Sequence, residues 1–245
     1  MSDPLPTLSA AMRRLAAPPP DDATDADRRT LDLVGLRLPL RASTALVLAT
    51  LVVLVDYTRI LSPDALIALG RSPEALRVVA LQRVLLYGLL PLAVVVLVFR
   101  DRPARYGLTR GDWRAGLPLL VAGCLLMTPI VLWFAQLPEV RAYYAPSLEP
   151  PPSLVLTNTL DLTAAEFLFR GFLTLALVRA IGPMGVLVGT LPFVFAHLGK
   201  PELELFSTLG GGLVYGWLAW RTRSIVWGSI AHVYILSLVI LASGS

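Results

Sequence analysis

Glu166 and Arg170 stand four residues apart inside a long apolar stretch, and two histidines, His197 and His232, stand in later apolar stretches. Opposite charges four residues apart share one helical face, and the acid-before-base order is the better one. Charged groups at membrane depth are costly, so they are usually paired, turned inward and functional. A carboxylate in an apolar bundle can serve as a general base near neutral pH. Two neutral imidazoles can hold or polarise a water and stabilise a developing oxyanion. Together these residue types suit hydrolysis of a peptide bond by an activated water. Taken singly, each also has a plain structural reading. Glu166 with Arg170 can be a buried ion pair that fixes helix register, and a membrane histidine can simply link helices by a hydrogen bond. Zinc held by His197, His232 and a carboxylate is possible in principle. No H-E-x-x-H motif occurs and no ligand spacing demands a metal, so no cofactor is expected.

These residues need a scaffold that carries them into lipid. Of 245 residues, 56% are hydrophobic and 16% charged, and the mean hydropathy is +0.69. Soluble domains are nearer a quarter charged. The expected fold is all-α, a polytopic transmembrane bundle of about seven spans, at 42–60, 78–99, 115–134, 153–178, 184–198, 207–220 and 225–242. Residues 1–30, with Pro18-Pro19-Pro20-Asp21-Asp22, read as a disordered cytoplasmic tail, and 31–245 as the bundle. The first residues lack an apolar core before a small-residue cleavage site, so no secretory signal is expected there. Residues 31–40 read as a short segment along the membrane surface. Asp56 and Arg59 sit near a span end, where snorkelling makes charge cheap.

The arginines give a topology. Arg13, Arg14, Arg28, Arg29, Arg37 and Arg41 precede the first span. Arg100, Arg102, Arg105, Arg110 and Arg114 follow the second, Arg179 follows the fourth, and Arg221 and Arg223 follow the sixth. With seven alternating spans all of them fall on one face, and the positive-inside rule puts the N-terminus in the cytoplasm. The expected location is an integral membrane protein, of a bacterial inner membrane. The formal charge of +4 comes from these arginines, not from a nucleic-acid surface, so no nucleic-acid partner is expected. Gly210-Gly211-Gly212 with Gly216 reads as close helix packing rather than phosphate binding. Cys124, the single cysteine, reads as a small core residue. The absence of an internal repeat gives a transporter little support.

With those residues in hand, the chain from about Asp161 onward resembles the CPBP family, the CAAX-processing and bacteriocin-processing intramembrane proteases. Its first motif, Glu-Glu-x-x-x-Arg, is matched by Ala165-Glu166-Phe167-Leu168-Phe169-Arg170. Its second, Phe-x-x-x-His, is matched by Phe193 to His197, and its third, His-x-x-x-Asn or Asp, by His232 to Leu236. The resemblance implies a protease core over 153–245 and a membrane-anchored protein or peptide substrate in the lipid bilayer. It also marks two departures. Ala165 stands where the family has the glutamate that activates water with the second-motif histidine, and Leu236 stands where an Asn helps stabilise the oxyanion. Three readings follow. Glu166 itself is the base, with His197 as its partner, His232 at the oxyanion and Arg170 holding Glu166. Alternatively another acid substitutes, either Asp161 or Glu204, the latter oriented by Lys200. Or the chain is a non-catalytic member that binds membrane peptides or regulates partners. The first two are favoured, because Glu166, Arg170, His197 and His232 are all retained in lipid.

Overall fold

A computed structural model describes residues 12, 13 and 15–244. The first part of the expected tail, residues 1–11, and Arg14 lie outside the described residues. After a short helix α1 (Asp25–Arg28) come strands β1 (Thr30–Leu33) and β2 (Leu36–Pro39). They pair antiparallel, with Leu33 opposite Leu36. The surface segment expected at 31–40 is therefore mostly a hairpin. Its two turn residues, Val34 and Gly35, both have positive φ, the conformation that tight two-residue hairpins require. The Gly35 amide donates to Asp32 Oδ1.

The rest is helical. The long helices are α2 (Leu40–Thr58), α4 (Pro73–Val98), α5 (Trp113–Phe134), α7 (151–181), α8 (Met184–Phe195), α9 (Glu202–Thr222) and α10 (Val226–Ser243), with short helices α3 (Asp64–Ala68) and α6 (Pro138–Tyr144) in the connections. These long helices answer one to one to the expected spans, and the all-α bundle is what forms. By length and composition α2, α4, α5 and α10 are long and apolar enough to cross a membrane, while α8 is apolar but shorter. Their outward residues, among them Leu51, Leu54, Leu97, Leu125, Leu126 and Trp133, are exposed apolar side chains. An apolar outer face is what a bilayer-embedded bundle presents.

Helix α7 is the axis of the bundle. Every residue from Ala164 to Arg179 is buried, the charged Glu166, Arg170 and Arg179 among them, so neighbouring elements cover this helix on all sides. From Phe167 to Thr174 it widens to a π-helix, and the Thr174 hydroxyl donates to the Phe169 carbonyl oxygen. Such stretches are rare and often sit at functional sites. Glycines let neighbours close on this axis. A Cβ at Gly185 or Gly189 of α8 would strike Val178 or Thr174 of α7, and one at Gly212 of α9 would strike Thr190 of α8. Gly210 and Gly211 face open space, so the packing role in the glycine run falls on Gly212, with Gly216 in tight contact with Val186.

The expected tail does not stay disordered to residue 30. Asp27 is 3% exposed, and its carboxylate accepts from Arg105 Nη2 at 2.7 Å, from Arg41 Nη1 at 3.1 Å and from the Thr24 amide at 2.9 Å. Arg179 Nε lies 3.4 Å away. Arginines read as topology signals thus dock the acidic end of the tail onto the bundle. Burial alone would raise the Asp27 pKa, but the Arg105 and Thr24 hydrogen bonds and the Arg179 charge outweigh it and hold the group below its usual 3.8. A depressed carboxylate stabilises the fold above its unfolded pKa and loses that contribution as pH falls through the folded value. Asp27→Asn should therefore lower stability by about 3 kcal/mol at pH 7. The gap to the unsubstituted protein should narrow only below pH 3.8. Thermal unfolding in detergent across pH checks both parts, and a gap that stays constant into acid contradicts the assignment.

Candidate active site

The last α-helical turn of α7 before its π stretch carries Glu166, and the π stretch itself carries Arg170. Glu166 is fully buried. Its Oε1 accepts from His232 Nδ1 of α10 at 2.9 Å, and its Oε2 lies 3.4 Å from Arg170 Nε. This second contact is an ion pair without the alignment of a hydrogen bond, since neither Oε2 nor any Arg170 nitrogen has a hydrogen-bond partner. Arg170 rests instead on aromatic faces. Its guanidinium carbon is 3.8 Å from the Phe193 ring centroid and 5.5 Å from that of Tyr215. A desolvated cation over a ring gains about 2 kcal/mol or more, so aromatic stacking supplements the single ion pair.

Phe193 of α8 joins the parts. Its ring touches Arg170, lies 4.4 Å from the His197 ring and 6.2 Å from the His232 ring. His197, one turn further on, directs Nδ1 at the Phe193 carbonyl oxygen at 2.8 Å. A carbonyl only accepts, so Nδ1 carries the hydrogen and Nε2 keeps a bare lone pair. The same logic applies to His232. Glu166 as a carboxylate only accepts, so His232 Nδ1–H donates, and in the neutral ring Nε2 is the acceptor nitrogen. Tyr215 of α9 stacks on the His232 ring at 5.2 Å and 18°, which fixes its plane. Two imidazoles, one in the turn after α8 and one on α10, thus each have Nδ1 anchored.

Both line one cavity of about 380 Å³, and with them Lys200, Asp161, Ala165 and Leu236. The expected site residues therefore separate into two groups. His197, His232 and Lys200 face the cavity. Glu166 and Arg170 stand behind its wall, where Glu166 reaches the cavity only through His232. Glu204 stands off to one side, accepting from Lys200 Nζ and from the Tyr144 hydroxyl, each at 2.7 Å. Burial and Glu204 raise the Tyr144 pKa, so this phenol stays protonated and donates. Both departures from the family motifs, Ala165 and Leu236, are cavity wall. A more open hollow of about 470 Å³ at the arginine-rich end, between Pro18–Pro20 and Arg221–Arg223, holds none of these residues.

One polar cluster of the cavity was not anticipated. Arg83 of α4 donates to Asp161 Oδ1 of α7 at 3.0 Å and to Asp56 Oδ2 of α2 at 2.8 Å, and the Tyr87 hydroxyl also donates to that Asp56 oxygen at 2.8 Å. Asp56 is therefore held by a partner rather than snorkelling beside Arg59. The available signal was Arg83 itself, an arginine inside an apolar span that needs a carboxylate. Asn158, another cavity-lining group of α7, donates to Ser237 Oγ at 3.0 Å. Among the described residues no group of three or more His, Cys, Asp and Glu is disposed to hold a metal ion. Of the carboxylates considered for zinc, Glu166 is committed to His232 and Arg170.

Residues 147–237 match the family described as type II CAAX prenyl endopeptidase, Rce1-like. The matched segment runs from the end of the α6 connection into α10 and contains Glu166, Arg170, His197, Lys200, Glu204 and His232. Over that segment the resemblance to CAAX-processing membrane proteases is shown. No curated protein and no solved structure matches the chain.

The buried ion pair gives a stability test. Glu166→Ala leaves Arg170 without its carboxylate in the core and should cost about 3–5 kcal/mol. The double change Glu166→Leu with Arg170→Met removes both charges and should recover much of that loss. Melting temperatures of the single and double variants in detergent measure the coupling. A double variant no more stable than Glu166→Ala would show that the pair is not what the core requires.

Proposed function

We propose that this protein is an intramembrane endopeptidase that hydrolyses peptide bonds of membrane-associated proteins or peptides with an activated water. The observation that carries this reading is the pair of imidazoles, His197 and His232, each anchored at Nδ1, on one membrane cavity. In it the base is His232 rather than Glu166. The water loses a proton to His232 Nε2 as its oxygen attacks the peptide carbonyl carbon. His197 Nε2 accepts a hydrogen bond from the water's other O–H, which stays on the oxygen. Glu166 stabilises the imidazolium across Nδ1–H, as the acid does in a carboxylate–histidine pair, and Arg170 balances Glu166. Among the cavity-lining donors, the reading assigns the oxyanion to Lys200 and the Asn158 amide. Collapse of the tetrahedral adduct breaks the C–N bond, and His232 returns its proton to the leaving amine. The products are a new carboxylate and a new amine.

The protein is proposed to sit in a bacterial cytoplasmic membrane with its N-terminus inside, supported by the arginine-rich face, with the protease core at 153–245 and its further helices as scaffold. A zinc-assisted variant of the reaction would draw on His197 and His232 as ligands. A second reading, a catalytically inactive binder of membrane peptides, draws on Ala165 and Leu236, which give the cavity apolar wall where the family has an acid and an amide.

Cleavage of a library of membrane-anchored peptides by protein in liposomes separates these readings. His232→Ala and His197→Ala should each lower kcat by about 100-fold or more. Glu166→Gln, a change to a positioning residue, should lower kcat, leave KM little changed and alter the pH profile. Turnover that survives a chelator supports the metal-free route. Peptide binding without turnover supports the inactive reading. Undiminished cleavage by the His197→Ala, His232→Ala double variant would exclude the mechanism.

A further inference from the structure

The exposed residues that line the cavity lie at one end of the bundle. Its outer wall is built by Arg59, Ser62, Gly70 and Arg71 between α2 and α4, by Tyr143 and Tyr144 of α6, and by Gly199 and Lys200 between α8 and α9. Arg59, Gly70 and Gly199 are exposed. All three connections lie at the same end, since each follows a helix running away from the arginine-rich segments. No lining residue comes from the opposite end, where residues 15–41, the connection from Arg100 to Arg114, Arg179, Arg221 and Arg223 gather. Those two ends are chemically unlike. The arginine-rich end carries most of the chain's basic residues, which the positive-inside rule keeps in the cytoplasm. The cavity end carries few, and one of them, Arg71, is held by the Tyr143 carbonyl and hydroxyl oxygens and stacked 3.9 Å over the Tyr143 ring.

From these two facts we infer that the site is filled from the extracytoplasmic face, so that its substrate class is a peptide segment that has already reached the outer side of the membrane, such as the outer juxtamembrane end of an anchored protein or a peptide released there. The inference rests on the peptidase reading for the word substrate, but the sidedness of the cavity does not. The basic loops cannot be drawn outward without reversing every span, and the cavity mouth and the basic loops are at opposite ends of the same helices. A cytoplasmic substrate would have to pass the closed end of α7, where every residue to Arg179 is buried and Arg179, Arg105 and Asp27 form a charged seal.

The test labels single cysteines in intact expressing cells with a membrane-impermeant maleimide, in a Cys124→Ala background. Asp64→Cys, in the exposed connection beside the mouth, and Arg110→Cys, in the exposed arginine-rich connection, are compared. Both must label after solubilisation in detergent, which shows that each thiol is reachable. In intact cells Asp64→Cys should label fully and Arg110→Cys at least tenfold less until the membrane is permeabilised. Labelling of Arg110→Cys instead, or of both alike, overturns the inference. A second arm places one cleavable sequence at the outer or the inner juxtamembrane position of a reporter. Cleavage only at the outer position supports the proposal, and cleavage at the inner position overturns it. If the labelling is as expected and neither reporter is cut, the peptidase reading fails while the outward-facing cavity stands.

Discussion

A carboxylate buried at the centre of a membrane bundle is the constraint on which the rest depends. Glu166 has no access to water, and an isolated ion there would cost several kcal/mol even after relaxation. It survives because Arg170 and His232 meet its two oxygens from opposite sides. That requirement reaches outward. Arg170 is itself a buried cation, so α8 and α9 must bring the Phe193 and Tyr215 rings against it. Those rings come close enough only because α8 and α9 present Gly185, Gly189 and Gly212 where a larger residue would collide. The glycine pattern and the charged pair are therefore one device, in which small residues exist to let aromatic faces reach the ion.

The same helix solves a second problem by different means. One turn before Ala165, Asp161 faces the cavity and takes Arg83 as partner, with Asp56 sharing the guanidinium. Here the charges are partly exposed to the cavity and are satisfied by direct hydrogen bonds rather than by ring stacking. The α7 axis thus carries two ionic layers. The outer one is open and hydrogen-bonded to α2 and α4, and the inner one is dry and held by α8, α9 and α10. Tethering α4 and α2 to α7 at the outer layer closes the cavity wall on the side away from the histidines.

How much of this was legible follows from what kind of signal each feature leaves. The seven long helices were readable as apolar segments set off by charged or proline-bearing connections, four of them long and apolar enough to cross a membrane, and the positions of Glu166, Arg170, His197 and His232 were readable because each is expensive where it stands. The direction in which Glu166 points was not. Asp161, Ala165 and Glu166 fall within two helical turns, and only the packing of α10 decides that His232 takes the last of them. Asp27 was misread for the opposite reason. An acidic, proline-rich stretch looks solvated by composition, and the arginines that order it are distant in sequence and already had an explanation as topology signals. Arg83 was passed over although it has the same warrant as Arg170, an arginine within an apolar span, because its acids come from two other helices instead of its own face.

The displacement of the acid by one residue changes what the site asks of its histidines. An acid at position 165 would face the cavity and could take a proton from water directly, with an imidazole beside it. With Ala165 in the wall and the cavity-lining Asp161 and Asp56 both taken by Arg83, Glu166 is the carboxylate in contact with a cavity imidazole, and it meets the cavity through the ring it holds. In the proposed mechanism Nδ1 of His232 is where the charge of Glu166 acts on the ring, and Nε2 is where the proton is taken up. Such a relay needs the ring plane to be rigid, because a tilt of His232 breaks the contact with Glu166 and misdirects Nε2 together. Tyr215, stacked 5.2 Å from that ring, supplies the rigidity, and it is held against Arg170 by the same electrostatics that hold Phe193. A substitution at 165 that in other arrangements would remove the base is thus compatible with a working site here, provided that the aromatic shell around Arg170 is intact.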